Sequence, residues 1–189
     1  MHLFIQNMEK TGFTFPEIEY VLSLGERISL KKGTIFSQPN KCWEHLGILE
    51  SGILGGWKPN ENFDKKFMQF FYSPSHYLIV DYECFVEDKP AIQTIEVLED
   101  ATILFYSRKH YFEVKDKLSK FLDLEKRTAE RKFLESQKLV TMFQNCDAIE
   151  RIKLIQESSP EIMTKVPYSY IASFLGLHRN TFAQAIKKL

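Results

Sequence analysis

Residues 167–189 read PYSYIASFLGLHRNTFAQAIKKL, and the fold of the C-terminal end follows from their pattern. Pro167 suits a helix start, and Ile171, Ala172 and Phe174 share the inner face of the helix that follows. Ala172 is small enough to let a second helix approach, and Gly176 offers a backbone position that accepts positive φ in a tight turn. Leu175 and Leu177 flank that glycine and seal the corner. Beyond it, Phe182, Ala185, Ile186 and Leu189 lie on one face of a second helix, leaving Arg179, Asn180, Gln184 and Lys187 or Lys188 outside. The pattern predicts a helix-turn-helix.

Immediately upstream, Asn145-Cys146-Asp147 breaks the chain, and Asp147 with Glu150 three residues on forms a capping box. A helix from Ala148 to about Glu157 then leads through Ser158-Ser159-Pro160 and Thr164-Lys165-Val166-Pro167 into the final unit, so 145–147 reads as a hinge. From about Val114 to Phe143 there is no Gly or Pro and helix formers abound, which predicts one long helix. Leu118, Leu122, Ala129, Phe133, Val140 and Phe143 form a stripe along it, interrupted by Glu125 and Ser136. Some thirty helical residues extend about 45 Å, longer than a small domain is wide. Pairing with its copy in a second subunit is the economical way to cover the excess; packing across its own domain is the alternative.

The N-terminal half has a different texture. Phe15, Ile18, Val21 and Leu22, with Pro16 near the start, suggest a short amphipathic helix over 15–24. Between Arg27 and Ser107, runs of β-branched and aromatic residues alternate with turn signals at Lys31-Lys32-Gly33, Gln38-Pro39-Asn40, Glu50-Ser51-Gly52, Lys58 to Asn62, Ser73-Pro74-Ser75 and Glu99-Asp100. That spacing predicts a small β-barrel or sandwich, with Lys66–Tyr72, Ala91–Leu98 and Ala101–Ser107 as its best strands.

Composition narrows the function. Lys and Arg number 25, as do Asp and Glu, so net charge gives no hint of a nucleic-acid partner, although phosphate contacts supply much of such affinity. From Val166 onward, however, Arg179, Lys187 and Lys188 are the only charged residues, and all are basic. Cys42, Cys84 and Cys146 are dispersed and odd in number, which argues against a disulfide framework, a zinc knuckle or an iron–sulfur cluster. His2, His45, His76, His110 and His178 are isolated, unlike the clustered ligands of a metal-dependent cupin enzyme. No nucleophile, base or phosphate loop stands out, and neither enzyme activity nor a cofactor is expected. With no signal peptide or membrane-spanning run, the chain is expected in the cytoplasm.

Tyr170-Ile171-Ala172-Ser173-Phe174-Leu175-Gly176-Leu177 resembles the helix-turn-helix of the Crp/Fnr family of transcription regulators, especially its short, Bacteroidetes-type members. Upstream, Gly33 in its LKKG turn, Glu50-Ser51-Gly52 and the strands ending at Ser107-Arg108 are similar to that family's cyclic-nucleotide-binding β-roll. The resemblance spans about Phe15 to Leu189. It implies an α+β chain with a sensory, cyclic-nucleotide-binding-like jelly roll over 1–113, a dimerisation helix and hinge over 114–146, and a DNA-binding domain over 147–189. It further implies a homodimer on a palindromic operator. Base edges would be read by Arg179, Asn180 and Gln184, and phosphates held by Thr181, Lys187 and Lys188. The family often has Ser or Thr where His178 stands, and commonly arginine at the place of Gln184.

Cyclic AMP binders of this family carry a Gly-Glu pair opening a short helix and an Arg followed by a hydroxyl residue. The corresponding stretch here, 77–95, has no glycine, and Pro90-Ala91 occupies the place of the arginine and hydroxyl. Cyclic AMP binding in the usual mode is therefore not expected. Any small-molecule effector is of unknown identity, with Asp81, Tyr82, Glu83, Phe85, Pro90 and Ala91 around its pocket; Asp81 and Glu83 serve equally well as a solvated rim. The alternative function is a ligand-binding or protein-interaction module whose degenerate helix-turn-helix no longer reads DNA.

Overall fold

Two long antiparallel strands organise the N-terminal half. The computed structural model describes residues 1–41, 44–59, 66–87 and 89–189, and the side chains at 59, 66 and 83 also lie outside that description. Helices α1 (His2–Lys10) and α2 (Phe15–Ser23) precede strands β1 (Glu26–Leu30), β2 (Ile35–Ser37), β3 (His45–Pro59), β4 (Lys66–Tyr72), β5 (Leu78–Ile79) and β6 (Thr94–Ser107), with α3 (Tyr82–Glu87) before the last. Strands run in the order β1-β6-β3-β4; β2 pairs with β6 and β5 with β3, every pair antiparallel. This is the predicted roll.

Two of its predicted turns are bends within strands. Glu50-Ser51-Gly52 lies inside β3 and Glu99-Asp100 inside β6, so the strands expected over 91–98 and 101–107 are one. The register between β3 and β6 shifts on both sides of Ser51. Gly52 has φ +91°, and a Cβ there would stand 2.5 Å from the Asp100 carbonyl oxygen. Two strands some fifteen residues long must bend to close around a core, and a glycine bulge opposite a close backbone crossing supplies the bend. By contrast Gly33 (φ +85°) and Asn40 (φ 65°) sit in the true turns expected of them. Most of the expected turn over 58–62 lies outside the described residues.

The expected long helix is broken. It is α4 (Arg108–Lys117) and α5 (Phe121–Asn145), separated at Leu118, whose backbone is extended (φ −122°, ψ 95°). Val114 of α4 and Phe121 and Leu124 of α5 all enter the core of the roll, with Tyr111 and Phe121 in edge-to-face contact at 5.4 Å. A straight rod could follow the curved roll over only part of its length, so burial overrides local helix propensity at 118–120. α5 alone still extends about 38 Å at 1.5 Å per residue. Another departure is α1, which buries Phe4 and Met8 against the roll where no helix was predicted.

The C-terminal helices are α6 (Ala148–Ser158), α7 (Pro160–Lys165), α8 (Tyr168–Phe174) and α9 (Arg179–Ile186). Asp147 Oδ1 accepts from the Ile149 and Glu150 amides while Glu150 accepts from the Asp147 amide, the capping box expected there. These helices share a second core with the roll: Ile53, Trp57, Met68 and Leu98 pack with Ile162, Ile171, Ala172 and Phe182.

Candidate nucleic-acid interface

The geometry of the helix-turn-helix starts at its corner. Ile171 and Ala172 of α8 and Phe182 and Ala185 of α9 are buried against one another, and Gly176 takes φ +66° between the two helices. The Leu177 amide donates to the Ala172 carbonyl at 2.8 Å, and Leu175 is fully buried. Leu189, expected on the inner face, is instead exposed at the chain end. His178 caps α9: its Nδ1 accepts from the Asn180 amide at 3.3 Å, the task that a Ser or Thr hydroxyl performs at such positions. The departure at His178 is thus accommodated by imidazole chemistry.

With Phe182 and Ala185 turned inward, α9 presents Arg179, Asn180, Thr181, Ala183 and Gln184 to solvent, followed by Lys187 and Lys188. All six sequence-selected residues therefore occupy one exposed region. Helix α8 behaves differently, because it is docked on the roll. The Ser173 hydroxyl accepts from the Met68 amide at 3.1 Å, Tyr170 meets Trp57 edge-on at 4.5 Å, and Phe174 lies 5.2 Å from Phe71. Lys165 and Glu99 add an ion pair at 2.9 Å. The roll thus holds the first helix and leaves the second uncovered.

Arg151 went unremarked at the level of sequence because no periodicity or motif marks it. Its guanidinium donates to the carbonyl oxygens of Phe143, Cys146 and Leu175, each at 3.0 Å, and lies over the Phe143 ring. One side chain therefore satisfies carbonyls at the ends of both α5 and α8, where a cation is also favoured by the helix dipoles. It ties the expected hinge to the corner of the helix-turn-helix. Along α5, Leu122, Phe133, Val140 and Phe143 are all exposed, Phe133 to 62%, so the apolar stripe faces outward.

The residues expected around an effector divide between two spaces. A groove of about 1040 Å³ between β4, α5 and the C-terminal helices includes Asp81, Tyr82 and Gln93. Asp81 is buried rather than a solvated rim: one oxygen accepts from the Cys84 amide at 3.3 Å, and the other has no partner among the described residues. On the groove's far wall, burial holds His76 below its ordinary pKa against the pull of Glu135, 3.8 Å away. Phe85 instead lines an adjoining cavity of about 340 Å³, which Tyr82 also touches. Pro90 is exposed, and buried Ala91 exchanges backbone hydrogen bonds with Asn40 and Lys41; neither lines either space. The Glu83 side chain lies outside the described residues.

The chain has the fold of transcription regulators that join a cyclic-nucleotide-binding β-roll, a long helix and a helix-turn-helix. Among solved structures, it is similar to the c-di-GMP responsive global regulator CLP of Xanthomonas campestris, 14% identical over 93% of this chain and 91% of that one, with TM-score 0.72. FixK2 from Bradyrhizobium japonicum is also 14% identical, over 87% and 84% of the two chains, with TM-score 0.71. The Thermus thermophilus catabolite activator protein is 14% identical over 94% and 84%, with TM-score 0.59. No protein-family model matches the chain, and no curated protein matches its sequence. Among the described residues, no helix is long and apolar enough to cross a membrane.

Proposed function

We propose that this chain is a regulator of the Crp/Fnr type that binds a palindromic DNA operator as a homodimer and has no enzyme activity. The observation that carries the reading is the uncovered face of α9, where Arg179, Asn180 and Gln184 stand free beside Thr181, Lys187 and Lys188. Arginine matches the two acceptors of guanine, and the amides match the donor and acceptor of adenine. The apolar stripe of α5 supplies the dimer seam, and two-fold symmetry sets the reading heads one helical turn of DNA, about 34 Å, apart. In this reading 1–113 is the sensory roll, 114–146 the dimer helix and hinge, and 147–189 the DNA-binding domain, in the cytoplasm.

Cyclic AMP in the usual mode is not the effector. The stretch 77–95 has no glycine and carries Pro90-Ala91 where an arginine and a hydroxyl would meet the phosphate, and a cyclic phosphate left unpaired there would be unfavourable. The test is selection from a pool of random duplex DNA at moderate salt. An enriched palindrome with half-sites about one helical turn apart supports the reading. Failure to enrich any sequence, with and without cell extract as an effector source, would overturn it in favour of a protein-interaction module.

A further inference from the structure

We propose that the 340 Å³ cavity beneath α3 is a binding site for an uncharged apolar small molecule of roughly ten to twelve carbons. The cavity adjoins the groove that holds Asp81 and Gln93, sharing Leu78, Val80 and Tyr82 with it, and it is bounded by elements that a helix-turn-helix does not need: α1, α2, α4 and the first turns of α5. Phe4, Val21, Ile48, Phe85, Val114 and Leu124 make its walls apolar. An apolar hole of about 150 Å³ takes up benzene, so one of about twice that size suits a bicyclic aromatic or a medium-length chain.

The one charged feature of the site sets the charge of the ligand. At the rim, Lys115 and Glu125 already pair at 3.2 Å, and the Tyr111 hydroxyl donates to Glu125. A charged head group would have to break that pair or face its like charge, so the site favours an uncharged one. Tyr82 and Val86, apolar-bodied residues of α3 that are 51% and 67% exposed, line the mouth and would be covered by the occupant. Occupancy would thus draw α3 onto the start of α5, whose far end reaches the reading head through Arg151.

The test titrates the full chain, without DNA, with 2-naphthol and 1-decanol as uncharged probes, 2-naphthoate as the charged counterpart, and naphthalene as the apolar one, followed by calorimetry and thermal unfolding. Saturable uptake of one 2-naphthol per chain, with a rise in Tm and binding about tenfold tighter than that of 2-naphthoate, is expected. Val114→Phe, which fills the cavity, should abolish uptake. Val86→Asp, an exchange at an exposed position of the mouth, should weaken 2-naphthol and naphthalene alike, by about fivefold, because the occupant loses its apolar cover. Should Val114→Phe not fold, Val86→Asp still decides. No saturable binding of either uncharged probe, equal or tighter binding of 2-naphthoate, or a Val86→Asp variant that binds 2-naphthol as well as the parent overturns the proposal. Because DNA is absent from this measurement, its failure and that of the DNA-reading proposal are distinct.

Discussion

The Arg151 guanidinium donates to the Leu175 carbonyl oxygen at 3.0 Å and to that of Phe143, and so joins the end of the long helix to the corner of the helix-turn-helix. Replacing Arg151 with Ala strips three carbonyl oxygens of a charged donor at once, two of them at helix ends. The expected cost is about 2 kcal/mol of unfolding free energy by urea titration. DNA affinity should fall with it, because the orientation of α9 relative to α5 is no longer held.

Arg179→Ala separates reading from folding. The side chain is exposed and its backbone sits in the first turn of α9, so stability by urea titration should stay within about 0.5 kcal/mol of the parent. Binding to a selected operator should weaken by about 1–3 kcal/mol, with preference relaxed at one base pair, as read by gel shift on single-base operator variants. Unchanged binding would argue for the interaction-module alternative.

Gly52→Ala tests the bend in the roll. The position requires φ +91°, and the new methyl would lie 2.5 Å from the Asp100 carbonyl oxygen, a backbone atom that cannot rotate away. A loss of about 3 kcal/mol is expected, read as a lower denaturation midpoint. Gly33→Ala shares the positive φ but meets nothing within 4 Å, and should cost about 1 kcal/mol.

Phe133→Asp tests the proposed dimer seam. This ring is exposed in the single chain, so the substitution should leave the monomer fold intact while placing two like charges across a two-fold interface. The dimer dissociation constant, measured by sedimentation, should rise about tenfold or more. An unchanged constant would move the interface away from α5.

Acid sensitivity has one traceable source in the link between α2 and α5. Hydrogen bonds from Lys120 and from Thr14 lower the Glu17 pKa from 4.5 to about 2. A carboxyl depressed on folding stabilises the fold fully above its unfolded value and loses that contribution as pH falls from about 4.5 toward 2. The gap in denaturation midpoint between the parent and Glu17→Gln should therefore be constant near neutrality and close across that interval.

Local pattern carried much of this architecture. Gly176 with its flanking leucines, the Asp147–Glu150 box and the outward set on α9 are all consequences of spacing over a few residues, and such short-range rules act before any tertiary contact forms. The same reasoning erred where a local signal was overruled by packing. Ser51-Gly52 and Glu99-Asp100 look like turns taken singly; they become bends because each lies opposite the other in a closed roll. The 114–143 run looks like one helix, and breaks at Leu118 because Val114, Phe121 and Leu124 enter one curved core.

By itself, then, the sequence determined the order of a β-rich half, a long helix and a helix-turn-helix, together with the exposed chemistry of α9. Only the tertiary structure decided that Arg151 joins Phe143 to Leu175, that Asp81 is buried, and that Tyr106 and Phe85 line one cavity while Pro90 and Ala91 line none. The reason is range: periodicity and capping act over a few residues, whereas these relationships join positions some twenty to thirty residues apart, which meet only once the chain has folded.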